Sequence, residues 1–242
     1  MIVEALKSGE TMAPILNEGS KHSLMKDTCM RLVRLAAMLA IVSLVATGAD
    51  RATAAGVSPQ AVKAKLDYCE VCHGVAAQGF VGYFPVPRLA GQQVEYIENE
   101  LKGFVDRKRE NTASPEKTNV MFNVGHVLSP DMIKALAQKL HGLDPKPLGG
   151  APKGNLADGK KIFTEGIASA KVPPCAACHG SDAKGNGEIP RLAGQVYPYI
   201  VTQLTNWGKE RAETNSKIMA PIAHSLTKSQ IEAVAAYVSY LQ

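Results

Sequence analysis

The chain has few of the residues that would indicate a disulfide framework, a membrane protein or a nucleic-acid-binding protein. It has 5 cysteines in 242 residues, and four of them lie in two copies of one motif, so no even and widely spaced set remains for disulfide bonds or zinc. Its most apolar run, residues 35–49, is 15 residues long, short of the roughly 20 that a helix needs to span a bilayer. The net charge of +5 includes no dense basic tract, so nucleic acid is not indicated as a partner.

The first 54 residues have the pattern of a secretory leader. Arg31 and Arg34 precede the apolar run, and the small residues at 52–54 read Ala-Thr-Ala, as at a signal-peptidase site. We therefore expect residues 1–54 to be a signal peptide with an upstream prefix, cleaved at its end. The alternative is a retained membrane anchor. Cys29, the remaining cysteine, lies inside this segment.

One motif, C-x-x-C-H, occurs twice, at residues 69–73 and 175–179. This is the pattern of c-type haem attachment, because two thiols about one turn apart can each add to one vinyl group of the same porphyrin. A single copy would also suit a redox dithiol or half of a zinc site, whereas two copies, each followed by glycine, favour haem. We predict two covalently bound haem c groups. The thiols and imidazoles that hold them are predicted to be Cys69, Cys72 and His73, and Cys175, Cys178 and His179.

The chain after the leader contains an internal repeat of one sequence unit. P-R-L-A-G-Q at residues 87–92 returns at residues 190–195, an offset of 103. Both units have apolar residues at helical spacing and no alternating run of strand length, which predicts an all-α fold. Helix starts are indicated by Ser58-Pro59, Ser129-Pro130 and Thr227. The predicted divisions are a first domain at 55–142, a linker rich in proline and glycine at 143–154, and a second domain at 155–242.

The second axial ligand of each iron is predicted from the repeat. Met121 and Met219 occupy matching places, and thioether sulfur suits an iron that shuttles electrons. Two alternatives stay open: the methionines are core filler, or His126 and His224 provide bis-histidine ligation. If they are not ligands, each of these histidines is expected to be partly buried and hydrogen-bonded to backbone. With both faces of each iron filled, no position remains for a substrate, so we predict an electron carrier without catalytic residues.

Several residues around the haems are predicted to support them. Arg88 and Arg191 are candidates for binding the haem propionates, with a surface position as the alternative. The carbonyls of Pro87 and Pro190 are expected to accept hydrogen bonds from the two motif imidazoles. The basic residues 107–109 are interpreted either as steering an acidic partner or as a solvated surface. His141 has no counterpart in the repeat and is interpreted as a surface residue.

These motifs together resemble the dihaem cytochrome c4 family of class I cytochromes c. The resemblance covers residues 57–242 and rests on C-x-x-C-H-G, P-R-L-A-G-Q, the tyrosine that follows and the later methionine, all duplicated. It implies two tandem class I cytochrome c domains, with His73 and Met121 on one iron and His179 and Met219 on the other. One departure is the spacing from histidine to methionine, 48 residues in the first unit and 40 in the second.

The resemblance also implies a location and partners. The family is periplasmic, sometimes loosely attached to the inner membrane, and passes electrons to redox proteins such as a terminal oxidase or a bc1-type complex. The alternative from a different class is a cytochrome subunit of a dehydrogenase complex, or a dihaem oxidoreductase acting on a small sulfur compound. A redox or gas sensor is a third hypothesis, although no output domain is visible in the sequence.

Overall fold

The regular structure of the chain is helical, as predicted. The computed structural model describes residues 56–82, 84–109, 115–210 and 216–242, and within them the only β structure is three isolated bridges. The predicted leader, its cleavage point and Cys29 lie outside these residues. In chain order the described α-helices are α1 Pro59–His73, α2 Val94–Val105, α3 Pro115–Gly125, α4 Pro130–His141, α5 Leu156–Glu165, α6 Ala176–His179, α7 Tyr197–Thr205, α8 Trp207–Glu210, α9 Ser216–His224 and α10 Lys228–Ser239. None of these is both long and apolar enough to cross a membrane.

The helix starts predicted from local sequence are confirmed. The side chain of Ser58 accepts a hydrogen bond from the backbone N–H of Ala61, and Ser129 does the same for Met132. Thr227 forms a capping box at the start of α10. Each cap satisfies a backbone donor that has no partner inside its helix. Because these signals are local, they position α1, α4 and α10 without help from the rest of the chain.

Helices α3 and α9, which carry Met121 and Met219, were not predicted. Helix α3 has little apolar periodicity, and α9 contains Pro221 within its span. Both are held by neighbours, since α3 packs against α2 and α9 packs against α7 and α8. The helical state of these two segments therefore depends on tertiary packing rather than on their own pattern.

The two halves differ in how the C-x-x-C-H motif is reached. In the first half, α1 runs without interruption for 15 residues and ends at His73. In the second half, α5 ends at Glu165, where Gly166 has a φ of +72°, and the four-residue helix α6 carries the second motif. The intervening segment contains only one helical turn, the 3-10 turn Ala168–Ala170, and two prolines at 173–174 prevent a continuous α-helix there. The structures of the two halves are therefore more similar after the C-x-x-C-H motif than before it.

Each half has its own apolar core, and the halves lie against each other within one compact unit, Gly56–Gln242. In the first half α4 packs against α2 and α1, and in the second α10 packs against α5 and α7. The second core is centred on Phe163, which is fully buried. Residues 143–152 have no helix or strand, as expected of a segment rich in proline and glycine.

The basic cluster at 107–109 is not a solvated patch throughout, because Arg109 is buried. Its side chain is 8% exposed, and its Nε lies 2.6 Å from Glu100 Oε2 on α2. The guanidinium also lies over the ring of Phe104, and its Nη2 donates to Gln203 Oε1 on α7 at 3.3 Å. Arg109 therefore joins the first half to the second, and the interpretation of the whole cluster as a steering or solvated surface is wrong for this residue.

Removing the carboxylate partner of Arg109 is expected to destabilise the protein. Glu100→Gln would remove the carboxylate charge that lies against a mostly buried guanidinium, and we expect the free energy of unfolding to fall by about 3 kcal/mol. Urea unfolding of the holoprotein measures this change. The matched control is Glu232→Gln, whose exposed partner Lys228 lies 3.9 Å away and whose loss should cost about 0.5 kcal/mol or less. Equal effects of the two variants would contradict the bridging role of Arg109.

Candidate functional site

The two motif histidines have the same environment in both halves. His73 ends α1 and His179 ends α6, and both side chains are buried. The Nδ1 atom of His73 lies 2.8 Å from the carbonyl oxygen of Pro87, and that of His179 lies 2.9 Å from the carbonyl oxygen of Pro190. The expected hydrogen bonds from imidazole to proline carbonyl are therefore present.

These hydrogen bonds decide which ring nitrogen is available to a metal. A carbonyl oxygen only accepts, so each Nδ1 carries the proton and donates it. Burial lowers the pKa of His73 and of His179, and the hydrogen bonds to the proline carbonyls oppose this only in part. Each ring is therefore neutral, and its Nε2 has a free lone pair. This is the state in which histidine ligates iron.

In each half, the loop after the motif histidine folds back and forms a backbone hydrogen bond to that histidine. The N–H of Gly79 donates to the carbonyl of His73 at 2.7 Å, and the N–H of Gly185 donates to that of His179 at 2.8 Å. A side chain at Gly79, where φ is +96°, would meet Val196 of the second half. Proline follows histidine after 14 residues in the first half and 11 in the second. The hydrogen bond from histidine to the proline carbonyl is thus present in both halves, although the loops between the two residues differ in length.

The four motif cysteines are free thiols within the described residues. Cys69 and Cys175 are half-buried, while Cys72 and Cys178 are exposed. Burial raises the pKa of Cys69, and raises that of Cys175 to about 11. A redox dithiol requires a lowered thiol pKa, so this environment does not favour the redox alternative. The spacing and the unpaired state instead fit thiols that form thioether bonds to a porphyrin.

The structure places both predicted methionine ligands alike. Met121 lies in α3 and Met219 in α9, each partly buried in the helix that precedes the last helix of its half. His126 and His224 are exposed, so the expectation that they would be partly buried is wrong. His141 was interpreted as a surface residue; it is exposed, and its Nδ1 lies 2.8 Å from the carbonyl oxygen of Gln92.

Arg88 and Arg191 are buried at the contact between the halves, so their surface alternative is wrong. Both guanidinium groups approach Asp144 Oδ1, at 3.3 Å from Arg88 and 3.6 Å from Arg191. Burial, and then the charge of Arg191, lowers the pKa of Arg88 to about 10, which leaves it positive at neutral pH. Two buried cations therefore share one carboxylate within the described residues.

The Nη2 atom of Arg191 is buried and makes no hydrogen bond to the described part of the chain. A buried donor without a hydrogen bond, beside an excess of positive charge, is suited to a further anion. The carboxylates of a haem fit this environment chemically. Binding of propionates by Arg88 and Arg191 stays a prediction.

Similarity to known proteins agrees with this geometry. The cytochrome c family matches residues 156–242. Cytochrome c-552 of Acidithiobacillus ferridurans is 37% identical over 82% of this chain and 84% of its own length. A thiosulfate dehydrogenase electron acceptor of Thiomonas intermedia is 32% identical over 71% of this chain and 77% of its own. Cytochrome c4 of Pseudomonas aeruginosa is 30% identical over 74% and 86%.

A solved structure shows the same arrangement. The cytochrome c4 of Acidithiobacillus ferrooxidans superposes with a TM-score of 0.64 at 36% identity, covering 72% of this chain and 99% of that one. The chain belongs to the dihaem cytochrome c4 family. As a cytochrome c4 it is an electron carrier that holds two covalently bound haem c groups, in tandem all-α cytochrome c domains.

In this cytochrome c4, the contact between the halves includes two residues that sequence reasoning missed, Gln92 and Gln195. The amide of Gln92 binds the backbone of Arg191, and the amide of Gln195 binds the backbone of Arg88. Both side chains are buried. The only sequence signal was that glutamine ends both copies of P-R-L-A-G-Q. That signal did not distinguish a haem contact from a contact between halves.

The first half of cytochrome c4 is expected to require its haem to fold, because a unit of 88 residues buries a limited apolar core. The double variant Cys69→Ala with Cys72→Ala should lose the haem of the first half and the helical circular dichroism of α1–α4. The single variant Cys72→Ala keeps one thioether link and should keep that signal. The haem-to-protein ratio is measured in parallel. Native-like helix content in a double variant that lacks the first haem would contradict the prediction.

Proposed function

We propose that this chain is a periplasmic dihaem cytochrome that carries single electrons between respiratory proteins. The observation that carries the proposal is the pair of buried histidines, each with its Nδ1 within hydrogen-bond distance of a proline carbonyl, which leaves Nε2 available. Each bound haem iron would alternate between the ferrous and ferric states. The protein would supply ligands that are fixed in place, so that little rearranges when the charge changes.

The residues proposed to hold the two haems follow the repeat. Thioether bonds are assigned to the four motif cysteines, and the proximal ligands are the two motif histidines. Met121 and Met219 are assigned as the second axial ligands, because each lies partly buried at the same place in its half. Arg88 and Arg191 are assigned to the propionates, supported by their burial and by the Nη2 of Arg191, which makes no hydrogen bond to the described part of the chain.

The methionine assignment is tested by substitution. Met121→Ala and Met219→Ala should each remove about half of the weak near-red charge-transfer band of the ferric protein, since methionine ligation produces this band and raises the potential. Each reduced variant should bind carbon monoxide at one haem. The matched control is Met132→Ala in α4, a partly buried methionine without a counterpart in the repeat, which should leave the band intact. An unchanged band in either ligand variant would favour the exposed histidines instead.

The proposed partners are a bc1-type complex as donor and a terminal oxidase as acceptor. A second candidate is the electron acceptor of a thiosulfate dehydrogenase, favoured by the similarity to the Thiomonas intermedia protein. Stopped-flow reduction distinguishes the two. Rapid reduction by a thiosulfate dehydrogenase in the presence of thiosulfate supports the second candidate, whereas rapid reduction only by a bc1-type complex supports the first.

The proposed location depends on residues 1–54. Cleavage after this segment would release the protein into the periplasm, where peripheral contact with the inner membrane remains compatible with function. We expect the mass of protein purified from the periplasmic fraction to correspond to a chain that begins near residue 55, with two haems added. Recovery of the uncleaved chain from the membrane fraction would support the retained anchor.

A further inference from the structure

One peptide group stands between the first motif histidine and the second half of the molecule. The carbonyl of Pro87 accepts the hydrogen bond from His73 Nδ1 at 2.8 Å. The N–H of the same peptide group belongs to Arg88 and donates to the side-chain oxygen of Gln195 at 2.7 Å. A continuous hydrogen-bonded chain therefore runs from His73 of the first half to Gln195 of the second.

The reciprocal chain is present in the other direction. His179 Nδ1 donates to the carbonyl of Pro190 at 2.9 Å. The N–H of that peptide group, on Arg191, donates to the side-chain oxygen of Gln92 at 2.6 Å. Each motif histidine is thus connected, through one peptide group, to a glutamine of the opposite half.

The orientation of each glutamine is set by its other contacts. Gln195 Nε2 donates to the carbonyl of Arg88 at 3.0 Å, and its Oε1 also accepts from the N–H of Val196. Gln92 Nε2 donates to the carbonyl of Arg191 at 3.1 Å, and its Oε1 also accepts from the N–H of Gln93. A flipped amide would place its NH₂ group against two N–H donors, so the oxygen must face the peptide group.

We propose that each half tunes the haem of the other half through these chains, with Gln195 acting on the haem of His73 and Gln92 on that of His179. An acceptor on the peptide N–H polarises the peptide and makes its carbonyl a stronger acceptor. The stronger bond to Nδ1–H makes the imidazole a better donor to iron, which lowers the reduction potential. The glutamines are positioning residues that act through the histidines, and the proposal rests on the axial role proposed above for those histidines.

Other contacts between the halves supply a matched control. Asn99 Nδ2 donates to Glu188 Oε1 at 3.0 Å, and Gln93 Nε2 donates to the carbonyl of Lys184 at 2.8 Å. The Asn99 contact touches neither proline–arginine peptide. Asn99→Ala therefore loosens the contact between the halves while leaving both chains intact.

The experiment compares Gln195→Leu, Gln92→Leu and Asn99→Ala as full-length holoproteins. NMR-monitored redox titration gives the potential of each haem, and the ¹⁵N shift of each Nδ1 in ferrous, ¹⁵N-histidine-labelled protein reports its hydrogen bond. We expect a crossed pattern: Gln195→Leu raises the potential of the first haem and alters the His73 signal, and Gln92→Leu does the same for the second haem and His179. Asn99→Ala should change neither.

A result without the expected effect of each glutamine on the haem of the opposite half would overturn the proposal. This would be a change at the haem of the same half, equal changes at both haems, or changes no larger than those of Asn99→Ala. If Gln195→Leu does not retain both haems, Gln195→Met keeps side-chain length, lacks the amide oxygen and repeats the test. Failure of the axial assignment is recognised separately, because the unmutated protein would then show no histidine-ligated haem signals.

Discussion

The hydrogen bond from each motif histidine to a proline carbonyl is the interaction on which both sites depend. It commits Nδ1 as a donor and leaves Nε2 unprotonated, while burial keeps the ring neutral. The geometry is the same in both halves although the connecting loops differ by three residues. Both halves therefore preserve the contact between the histidine at the helix end and the proline that follows the loop. The loop between them is free to vary in length, as surface loops generally are.

The segment that completes each site also forms the contact between the halves. Pro87 faces its own histidine, and the next residue, Arg88, is bound by Gln195 and packed near Asp144. The haem site of the first half and the contact between the halves consequently share the peptide group between Pro87 and Arg88. A change in the contact between the halves would therefore act on the hydrogen bond to His73. The two buried arginines add positive charge where only one carboxylate of the described chain lies close. This environment suits an acidic group of a bound cofactor.

Much of the fold was predictable because its signals are local. Caps at Ser58, Ser129 and Thr227 define helix starts within three residues, and the bond from histidine to proline follows from a short spacing. The helices that carry Met121 and Met219 were missed because their own residues do not specify a helix and neighbouring helices stabilise them. Arg109 was misread for a related reason. Adjacent basic residues suggest exposure, but a carboxylate on α2 and an amide on α7 bury one of them.

The sequence by itself determined the cofactor and its number, because porphyrin attachment requires two thiols and an imidazole at a fixed spacing along the chain. It also determined the helical class, since capping and periodicity act over a few residues. Only the tertiary structure decided what the repeated arginine and glutamine do. Gln195 meets Arg88 across 107 residues and Gln92 meets Arg191 across 99. No local preference encodes such contacts, because they exist only after two packed halves have come together.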